Sequence, residues 1–148
     1  MTPPIEQFVD EYFFLSNFYK HPITYEDIYY QHTEAAFQAA KTLDPVLRRK
    51  ISEFASPGKA KRAGRKLVLR DGWEEMKVQV MEDVLRLKFA DPFLRSRLLA
   101  TGDAELIEGN NWGDTVWGSV KTYNGEWTGQ NLLGKLLMKL RSEYAQAK

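Results

Sequence analysis

The sequence contains no cysteine and only two histidines, and both shortages limit the chemistry open to it. Without cysteine there is no disulfide, no thiolate metal site and no cysteine nucleophile. His21 and His32 alone are too few for a zinc site built on histidines. We therefore expect any catalysis to depend on carboxylates and lysines, with no metal ion and no cofactor.

Long apolar runs and a strong net charge are also missing. No stretch approaches the roughly 20 apolar residues of a membrane-spanning helix, and the first residues lack the basic and apolar regions of a signal peptide. We expect a cytoplasmic protein with no membrane partner. The formal net charge of +1 provides no general field for nucleic acid, so any anion recognition must be local. The length of 148 residues predicts one domain over 1–148, which we expect to be monomeric.

The two ends of the chain carry β signals. Residues 12–15, 23–25 and 28–30 are rich in aromatic and β-branched side chains, and the acidic pair at 26–27 suits a tight turn between the last two segments. Near the C-terminus, Asn-Gly at 124–125 is the strongest short hairpin signal in the chain. We therefore expect a small β-hairpin towards each end.

Helices are predicted elsewhere. Three Asp-Pro or Ser-Pro pairs, at 44–45, 56–57 and 91–92, suit helix starts, because the first residue caps a helix and proline fits its first turn. The longest helix, expected at 73–90, has an apolar stripe and is predicted to be the core helix. The stripe consists of Trp73, Met76, Val80, Val84 and Leu87. The second helix is expected to bury Leu47, Ile51 and Phe54. The predicted fold class is α+β: a predominantly helical single domain with small N-terminal and C-terminal β-hairpins.

An acid and an amine stand seven residues apart in the alanine-rich segment 33–41, which is a strong helix former. Seven residues are nearly two helical turns, so Glu34 and Lys41 would share one face, with Gln38 on the same stripe. Such a row suits contacts with different parts of one small substrate. A solvated helix face would show the same pattern.

A cationic cluster follows at 56–66, where a proline-started helix carries Lys59, Arg62 and Arg65. Backbone N–H groups at a helix start, together with nearby cations, form a ready anion site. The glycines at 58 and 64 cost helix stability and indicate close approach by a ligand or another element. The charges alone also fit an ordinary solvated basic face.

A glycine-rich loop at 109–118 places two indoles around one acid. Trp112 and Trp117 suit a stacking wall for a planar base, and Asp114 between them suits hydrogen bonds to sugar hydroxyls or a developing cation. Aromatic core residues and a turn-forming aspartate are the plainer interpretation. Near the N-terminus, Ser16 and Asn17 interrupt an aromatic run, which indicates a bulge or an ordinary turn that presents polar groups.

The order of these motifs resembles the YbiA-like, or NADAR, family across nearly the whole chain. The matching segments are Phe-Leu-Ser-Asn-Phe-Tyr at 14–19, the Glu-to-Lys motif at 34–41, Pro-Gly-x-Ala-Lys-x-x-Gly-Arg at 57–65, Leu-Leu-Ala-Thr-Gly at 98–102, Trp-Gly-Asp-x-x-Trp-Gly at 112–118 and Gly-x-Asn-x-Leu-Gly-x-Leu-Leu-Met at 129–138. One position departs from the pattern, since the family usually has histidine where this chain has Ala35.

The resemblance implies an N-glycosidase that cleaves the bond between a ribose C1′ and a nitrogen. Two substrate classes are known for the family: ADP-ribose attached to guanine, including guanine in DNA, and the phosphoribosylamino-pyrimidine intermediates of riboflavin biosynthesis. The expected partner is thus a small-molecule or base-linked ADP-ribose, with ADP-ribosylated DNA as a further candidate. A non-catalytic module that binds ADP-ribose is the alternative from another functional class.

Three residues are predicted to be catalytic. Lys41 is the candidate nucleophile, through an imine with the opened sugar, and Glu34 is the candidate proton shuttle. The rival mechanism is attack by water activated by Glu34, with Asp114 stabilising an oxocarbenium-like centre. The predicted substrate-binding residues are Ser16, Asn17, Phe18, Gln38, Lys59, Arg62, Arg65, Trp73, Trp112, Trp117, Gly118 and Asn131.

Overall fold

The computed structural model describes residues 2–147, which are divided between two compact units. One unit runs from the start of the chain to Ser16 and resumes at Pro92, and the other is Asn17–Asp91. The helices are α1 (Thr33–Ala39), α2 (Pro45–Ser52), α3 (Pro57–Arg65), α4 (Trp73–Lys88), α5 (Pro92–Ala100) and α6 (Leu132–Gln146). The strands are β1 (Ile23–Tyr25), β2 (Ile28–Tyr30), β3 (Gly109–Asn110), β4 (Ser119–Lys121) and β5 (Trp127–Thr128). This mixture confirms the predicted α+β, mainly helical class, whereas the single domain over 1–148 stays a prediction.

Helix α1 is the centre of the unit Asn17–Asp91. All seven of its residues are buried, and it packs against α2, α3 and α4. The prediction that the helix at 73–90 is the core helix is therefore wrong for this unit. A one-sided apolar stripe marks a helix with a solvent face, whereas a helix covered on all sides has no stripe to detect. Small alanine side chains let the three neighbouring helices approach α1 closely.

The apolar stripes of α2 and α4 differ from those expected. In α4, Leu87 is 41% exposed, and Leu85 is buried in its place. In α2, Leu47 is exposed and Arg48 is buried, because the Arg48 guanidinium reaches Glu26 with Nη1 donating to Oε1 at 2.7 Å. An arginine whose stem packs inward while its head is paired looks polar in the sequence.

The N-terminal hairpin is confirmed, but its predicted first segment is not a strand. Strands β1 and β2 pair antiparallel with Ile23 opposite Tyr30. Glu26 and Asp27 both have positive φ, 49° and 71°, as the tight turns that match strand twist require. Residues 12–15 instead belong to a 3-10 helix, Asp10–Leu15.

The C-terminal hairpin is also confirmed and belongs to a three-stranded sheet. Strands β4 and β5 pair antiparallel around the turn at 124–125. Strand β3 pairs parallel with β4, an addition that a two-residue strand could not signal in the sequence. Among residues 2–147, no helix is both long and apolar enough to cross a membrane.

Candidate active site

Glu34 and Gln38 form a buried hydrogen-bonded pair on α1. The Gln38 Nε2 donates to Glu34 Oε2 at 2.6 Å, and the two side chains are only 9% and 5% exposed. The spacing of four residues places them one above the other on the helix, as predicted. Their burial excludes the solvated-face interpretation.

Lys41 lies just beyond the end of α1, not within it. The helix ends at Ala39, and the Lys41 N–H donates to the Gln38 carbonyl at 3.1 Å in a tighter final turn. The side chain is half-buried, with Nζ 6.0 Å from the centre of the Phe37 ring. Trp73 lies behind this ring, at a centroid distance of 5.3 Å from Phe37. The amine therefore stands against an aromatic wall.

The surroundings of Lys41 favour its neutral form. Burial lowers the pKa of the Lys41 amine below its ordinary value, and the negative charge of Glu34 opposes that shift. The positive charges of Arg65 and Lys61 on α3 lower this pKa further. A lysine needs a free electron pair to attack carbon, so these effects suit a nucleophile.

Asn17 fixes the start of α1. Its Oδ1 accepts from Thr33 Oγ1 at 2.7 Å, and its backbone carbonyl accepts from the Glu34 N–H at 3.3 Å. Asn17 is itself 7% exposed, and its Nδ2 points at the Met81 sulfur at 3.4 Å. Asn17 therefore positions the Glu34 backbone, and its predicted contact with substrate stays a prediction.

His32 caps the same helix next to the unusual Ala35. The Ala35 N–H donates to His32 Nδ1 at 3.1 Å, while Nε2 lies 3.1 Å from the Phe54 carbonyl oxygen. Nδ1 must accept and Nε2 must donate, so the ring is neutral with its proton on Nε2. Burial lowers the pKa of His32, which agrees with that assignment. Ala35 itself is fully buried.

The cations of α3 divide into two groups. Arg65 and Lys61 act on Lys41, and Lys61 Nζ also lies 6.0 Å from the centre of the Phe18 ring. Lys59 and Arg62 form the second group and, like Arg65, are exposed to solvent. Lys61 was not among the site residues predicted from the sequence. Its position four residues before Arg65 places the two cations on one helix face, and this spacing could have indicated it.

Asp114 lies in the other compact unit and organises its own loop. One carboxylate oxygen, Oδ1, accepts from the Val116 and Trp117 N–H groups, both at 3.0 Å. Asn110 holds the loop from the inside, because its Oδ1 accepts from the Asp114 N–H at 3.0 Å and its Nδ2 donates to the Asp114 carbonyl at 2.9 Å. Asp114 therefore stabilises a turn, as the plainer interpretation expected. The other carboxylate oxygen, Oδ2, takes no part in the hydrogen bonds to Val116 and Trp117.

The two tryptophans of this loop differ in exposure. Trp112 is 61% exposed, whereas Trp117 is half-buried. A core role is therefore excluded for Trp112. Gly118 follows in a buried position where a side chain would collide with the Glu108 carbonyl, since a Cβ would lie 2.2 Å from that oxygen. Its backbone thus packs tightly, and its predicted substrate contact stays a prediction.

Asn131 and Ser16 are buried in the same unit as Asp114. The Asn131 Oδ1 accepts from the Glu108 N–H and its Nδ2 donates to the Leu106 carbonyl, both at 2.9 Å. Asn131 thereby ties the loop before β3 to the start of α6, while adopting a left-handed φ of 51°. For both residues a role in substrate binding stays a prediction.

The structure brings Glu34, Gln38, Lys41 and the α3 cations together within the unit Asn17–Asp91. Asp114 and both loop tryptophans form a second cluster in the other unit. Within residues 2–147 no group of three or more histidine, cysteine, aspartate or glutamate side chains is arranged to hold a metal ion.

A family model and several relatives match this chain. The NADAR domain model matches residues 5–145. The chain is 41% identical to N-glycosidase YbiA of Escherichia coli over 139 residues, which cover 92% of this chain and 84% of that protein. It is also 35% identical to a riboflavin biosynthesis protein of Vibrio vulnificus, over 88% of this chain but only 35% of the Vibrio protein.

A solved structure agrees with the fold. The NMR structure of Escherichia coli YbiA superimposes with a TM-score of 0.83 at 38% identity, covering 99% of this chain and 88% of that chain. The chain belongs to the NADAR family, and it has the YbiA-like fold. The prediction of a hydrolase of the N-glycosidase class is confirmed by the names of the matched relatives.

Proposed function

We propose that this protein hydrolyses the C1′–N bond between ribose and a nucleobase-like amine, and that its substrate is ADP-ribose attached to guanine in DNA or a nucleotide. The observation that carries the proposal is the corner of α1 where a buried carboxyl, Glu34, stands near an amine of lowered pKa, Lys41. An acid and a nucleophile are the two groups that cleavage of such a bond requires.

In the covalent form of the mechanism, Lys41 attacks C1′ while the bond from C1′ to the base nitrogen breaks. The electron pair of that bond stays on the base nitrogen, which takes a proton from Glu34. The lysine adduct loses a proton and opens to an imine with the sugar. Water then hydrolyses the imine, which releases ADP-ribose and restores the free amine.

In the rival form, Glu34 removes a proton from water as the water oxygen bonds to C1′ and the C1′–N bond breaks. The electron pair of that bond stays on the base nitrogen, which then takes the proton from Glu34. Lys41 only binds the sugar phosphate. Asp114 lies in the other unit, and its role in stabilising an oxocarbenium-like centre in the rival form stays a prediction. The half-buried position of Lys41 supports the covalent form, because burial lowers the pKa of the amine and makes its neutral, nucleophilic form easier to reach.

The anionic part of the substrate has a candidate site on α3. Lys61 and Arg65 lie near Lys41, and Lys59 and Arg62 are exposed on the same helix. Charge-assisted hydrogen bonds from these cations would hold the phosphates of ADP-ribose. Trp112 lies in the other unit and is 61% exposed, and its stacking on a planar base stays a prediction.

The phosphoribosylamino-pyrimidines of riboflavin biosynthesis are the second candidate substrate. One observation favours them, since a matched Vibrio relative is named a riboflavin biosynthesis protein. That protein is much longer, and this chain covers only 35% of it, so its name describes more than the matched region. Guanine-linked ADP-ribose therefore remains our first choice.

The deciding experiment incubates the protein separately with ADP-ribosylguanosine, an oligonucleotide carrying ADP-ribosylguanine, and a phosphoribosylamino-pyrimidine. Mass spectrometry measures the released sugar phosphate. We expect release from the two guanine substrates, and preferential turnover of the pyrimidine would support the second candidate. Binding of ADP-ribose without turnover of any substrate would identify a non-catalytic module.

Glu34→Gln is the matched control for this assay. The amide keeps the shape of the carboxyl and removes its titrating proton. We expect turnover to fall by about 100-fold or more, with binding of the substrate retained. Unchanged turnover in Glu34→Gln would overturn the role of Glu34 while leaving the substrate assignment in place.

A further inference from the structure

The amide of Gln38 has one satisfied end and one unsatisfied end. Its Nε2 donates to Glu34 Oε2 at 2.6 Å. Its Oε1 is buried and has no hydrogen-bond partner within residues 2–147. A buried, unpaired carbonyl is costly, and native proteins retain few of them. The cost of the unpaired Gln38 Oε1 therefore indicates a functional role for this amide.

Gly64 on α3 creates the space in which the unsatisfied oxygen lies. A Cβ at position 64 would fall 1.9 Å from Gln38 Oε1 and 2.6 Å from its Cδ. The close approach predicted from this glycine is thus made by another element, α1. Any residue other than glycine would push the Gln38 amide away from its present position.

We propose that Gln38 is a positioning residue whose amide reverses as Glu34 gains and loses its proton, and that Gly64 leaves room for the reversal. When Glu34 is ionised, the amide presents Nε2 to the carboxylate. When Glu34 is protonated, rotation about the last side-chain torsion presents Oε1 to the carboxyl O–H. The inference rests on the proposed function, in which Glu34 is the proton shuttle.

The missing partner of Oε1 is what makes the reversal inexpensive. An amide with fixed hydrogen-bond partners at both ends loses hydrogen bonds when it rotates by 180°. Here the end that faces Gly64 is unpaired in both orientations, so the two orientations carry a similar cost. Glu34 therefore keeps one hydrogen bond in each protonation state while a proton passes from water to it, or from it to the leaving nitrogen.

The charged and titratable groups on the elements packed around this corner are as follows. Lys41 stands at the end of α1, Lys61 and Arg65 face it from α3, and Glu74 from α4. On α2, Arg48 is directed to the Thr42 carbonyl and to Glu26. On β1 and β2, the phenols of Tyr25 and Tyr30 have a raised pKa and stay neutral.

Nuclear magnetic resonance tests the reversal in the intact protein without turnover. We expect the side-chain amide protons of Gln38 to show a nuclear Overhauser effect to the Gly64 Hα protons only when Glu34 is protonated. The Glu34 carboxyl ¹³C shift follows the same titration. An amide that keeps one orientation throughout would overturn the proposal.

Variants supply the second test. Gln38→Met keeps the length of the side chain but offers no amide to either state of Glu34. We expect the kcat of this variant to be about 10- to 100-fold below that of wild type, as loss of a charge-assisted hydrogen bond predicts. Its KM should stay within about twofold of the wild-type value, because Gln38 is buried. The Glu34 titration should move to higher pH, since the lost bond stabilised the ionised form.

Gly64→Ala should move the Glu34 titration in the same direction by displacing the amide. Gly58→Ala, on the same helix, is its matched control, because the nearest atom to a Cβ at position 58 would be 3.8 Å away. That variant should keep the wild-type titration. If wild type cleaves no substrate, the proposed function fails, yet the titrations still decide whether the amide reverses. An unmoved Glu34 titration in Gln38→Met would refute the positioning role alone.

Discussion

The Lys41 amine lies over the face of the Phe37 ring, with Nζ 6.0 Å from the ring centre. Phe37 is in turn supported by Trp73. The aromatic pair therefore lies on one side of the amine, and the positive charges of Arg65 and Lys61 act on it from α3. Burial is the largest cause of the lowered pKa of Lys41, and the positive charges of Arg65 and Lys61 lower it further.

Lys41→Arg should be nearly inactive if the covalent mechanism operates. The guanidinium keeps the positive charge but is protonated at any working pH and forms no imine. We expect kcat to fall by about 1000-fold or more. Borohydride added during turnover should trap the wild-type protein with the mass of the bound sugar.

Lys50→Arg is the control for that variant, because Lys50 is exposed on α2. It should keep both the rate and the borohydride adduct. Near-normal turnover in Lys41→Arg, together with no adduct in wild type, would eliminate the covalent mechanism and leave water activated by Glu34.

Tyr30→Phe should stabilise the protein. The Tyr30 hydroxyl is buried without a hydrogen-bond partner within residues 2–147, and burial raises the pKa of Tyr30 to about 12. Phenylalanine keeps the ring and removes the unpaired group, so the free energy of unfolding should rise by about 1 kcal/mol. Urea denaturation measures this free energy of unfolding. Tyr29→Phe, on the exposed face of the same strand, should change it by less than about 0.5 kcal/mol. Destabilisation by Tyr30→Phe would mean that the hydroxyl is bonded in solution.

His32 should make stability depend on pH. Burial holds the pKa of His32 below its ordinary value, which is about 6.5 in an unfolded chain. The unfolded state therefore binds a proton first as pH falls, and the free energy of unfolding should decrease below about pH 6.5. Protonated Nδ1 also loses its bond from the Ala35 N–H. The expected loss between pH 7.5 and pH 5 is about 1 kcal/mol.

His32→Asn checks that pH dependence, because asparagine still caps a helix but does not titrate. Urea denaturation at several pH values should show a flatter profile than wild type. His21→Asn serves as the control and should keep the wild-type slope. A His32→Asn profile as steep as that of wild type would assign the effect to other groups.

Local signals predicted much of the fold from the sequence. The caps at Asp44 and Ser56 were recognised, and both side chains do accept from backbone N–H groups of their helices. The turn at Glu26 and Asp27 was also predicted, and both residues have the positive φ of such a turn. Each of these depends on a few adjacent residues, so no knowledge of distant contacts was needed.

Features set by packing between distant segments were missed. The central position of α1 depends on three helices that cover it, and the burial of Arg48 depends on Glu26, 22 residues away. Lys61 contributes to the candidate site because α3 packs against α1. Gly64 was noted for close approach, but its partner, Gln38, is visible only in the folded chain.

Arg65→Gln and Lys59→Gln should have different effects although each removes one positive charge from α3. Arg65 lowers the pKa of Lys41, so its loss should raise that pKa and move the acidic limb of the kcat profile to higher pH. Lys59 is exposed, as Arg65 is, but it lies about 120° away from Arg65 around the helix. Its loss should raise KM a few-fold and leave the limb in place. Steady-state kinetics on ADP-ribosylguanosine between pH 5 and 9 separates the two effects. Identical profiles for the two variants would show that α3 acts on Lys41 only through its total charge, and the assignment of Arg65 as the residue that tunes the amine would then be wrong.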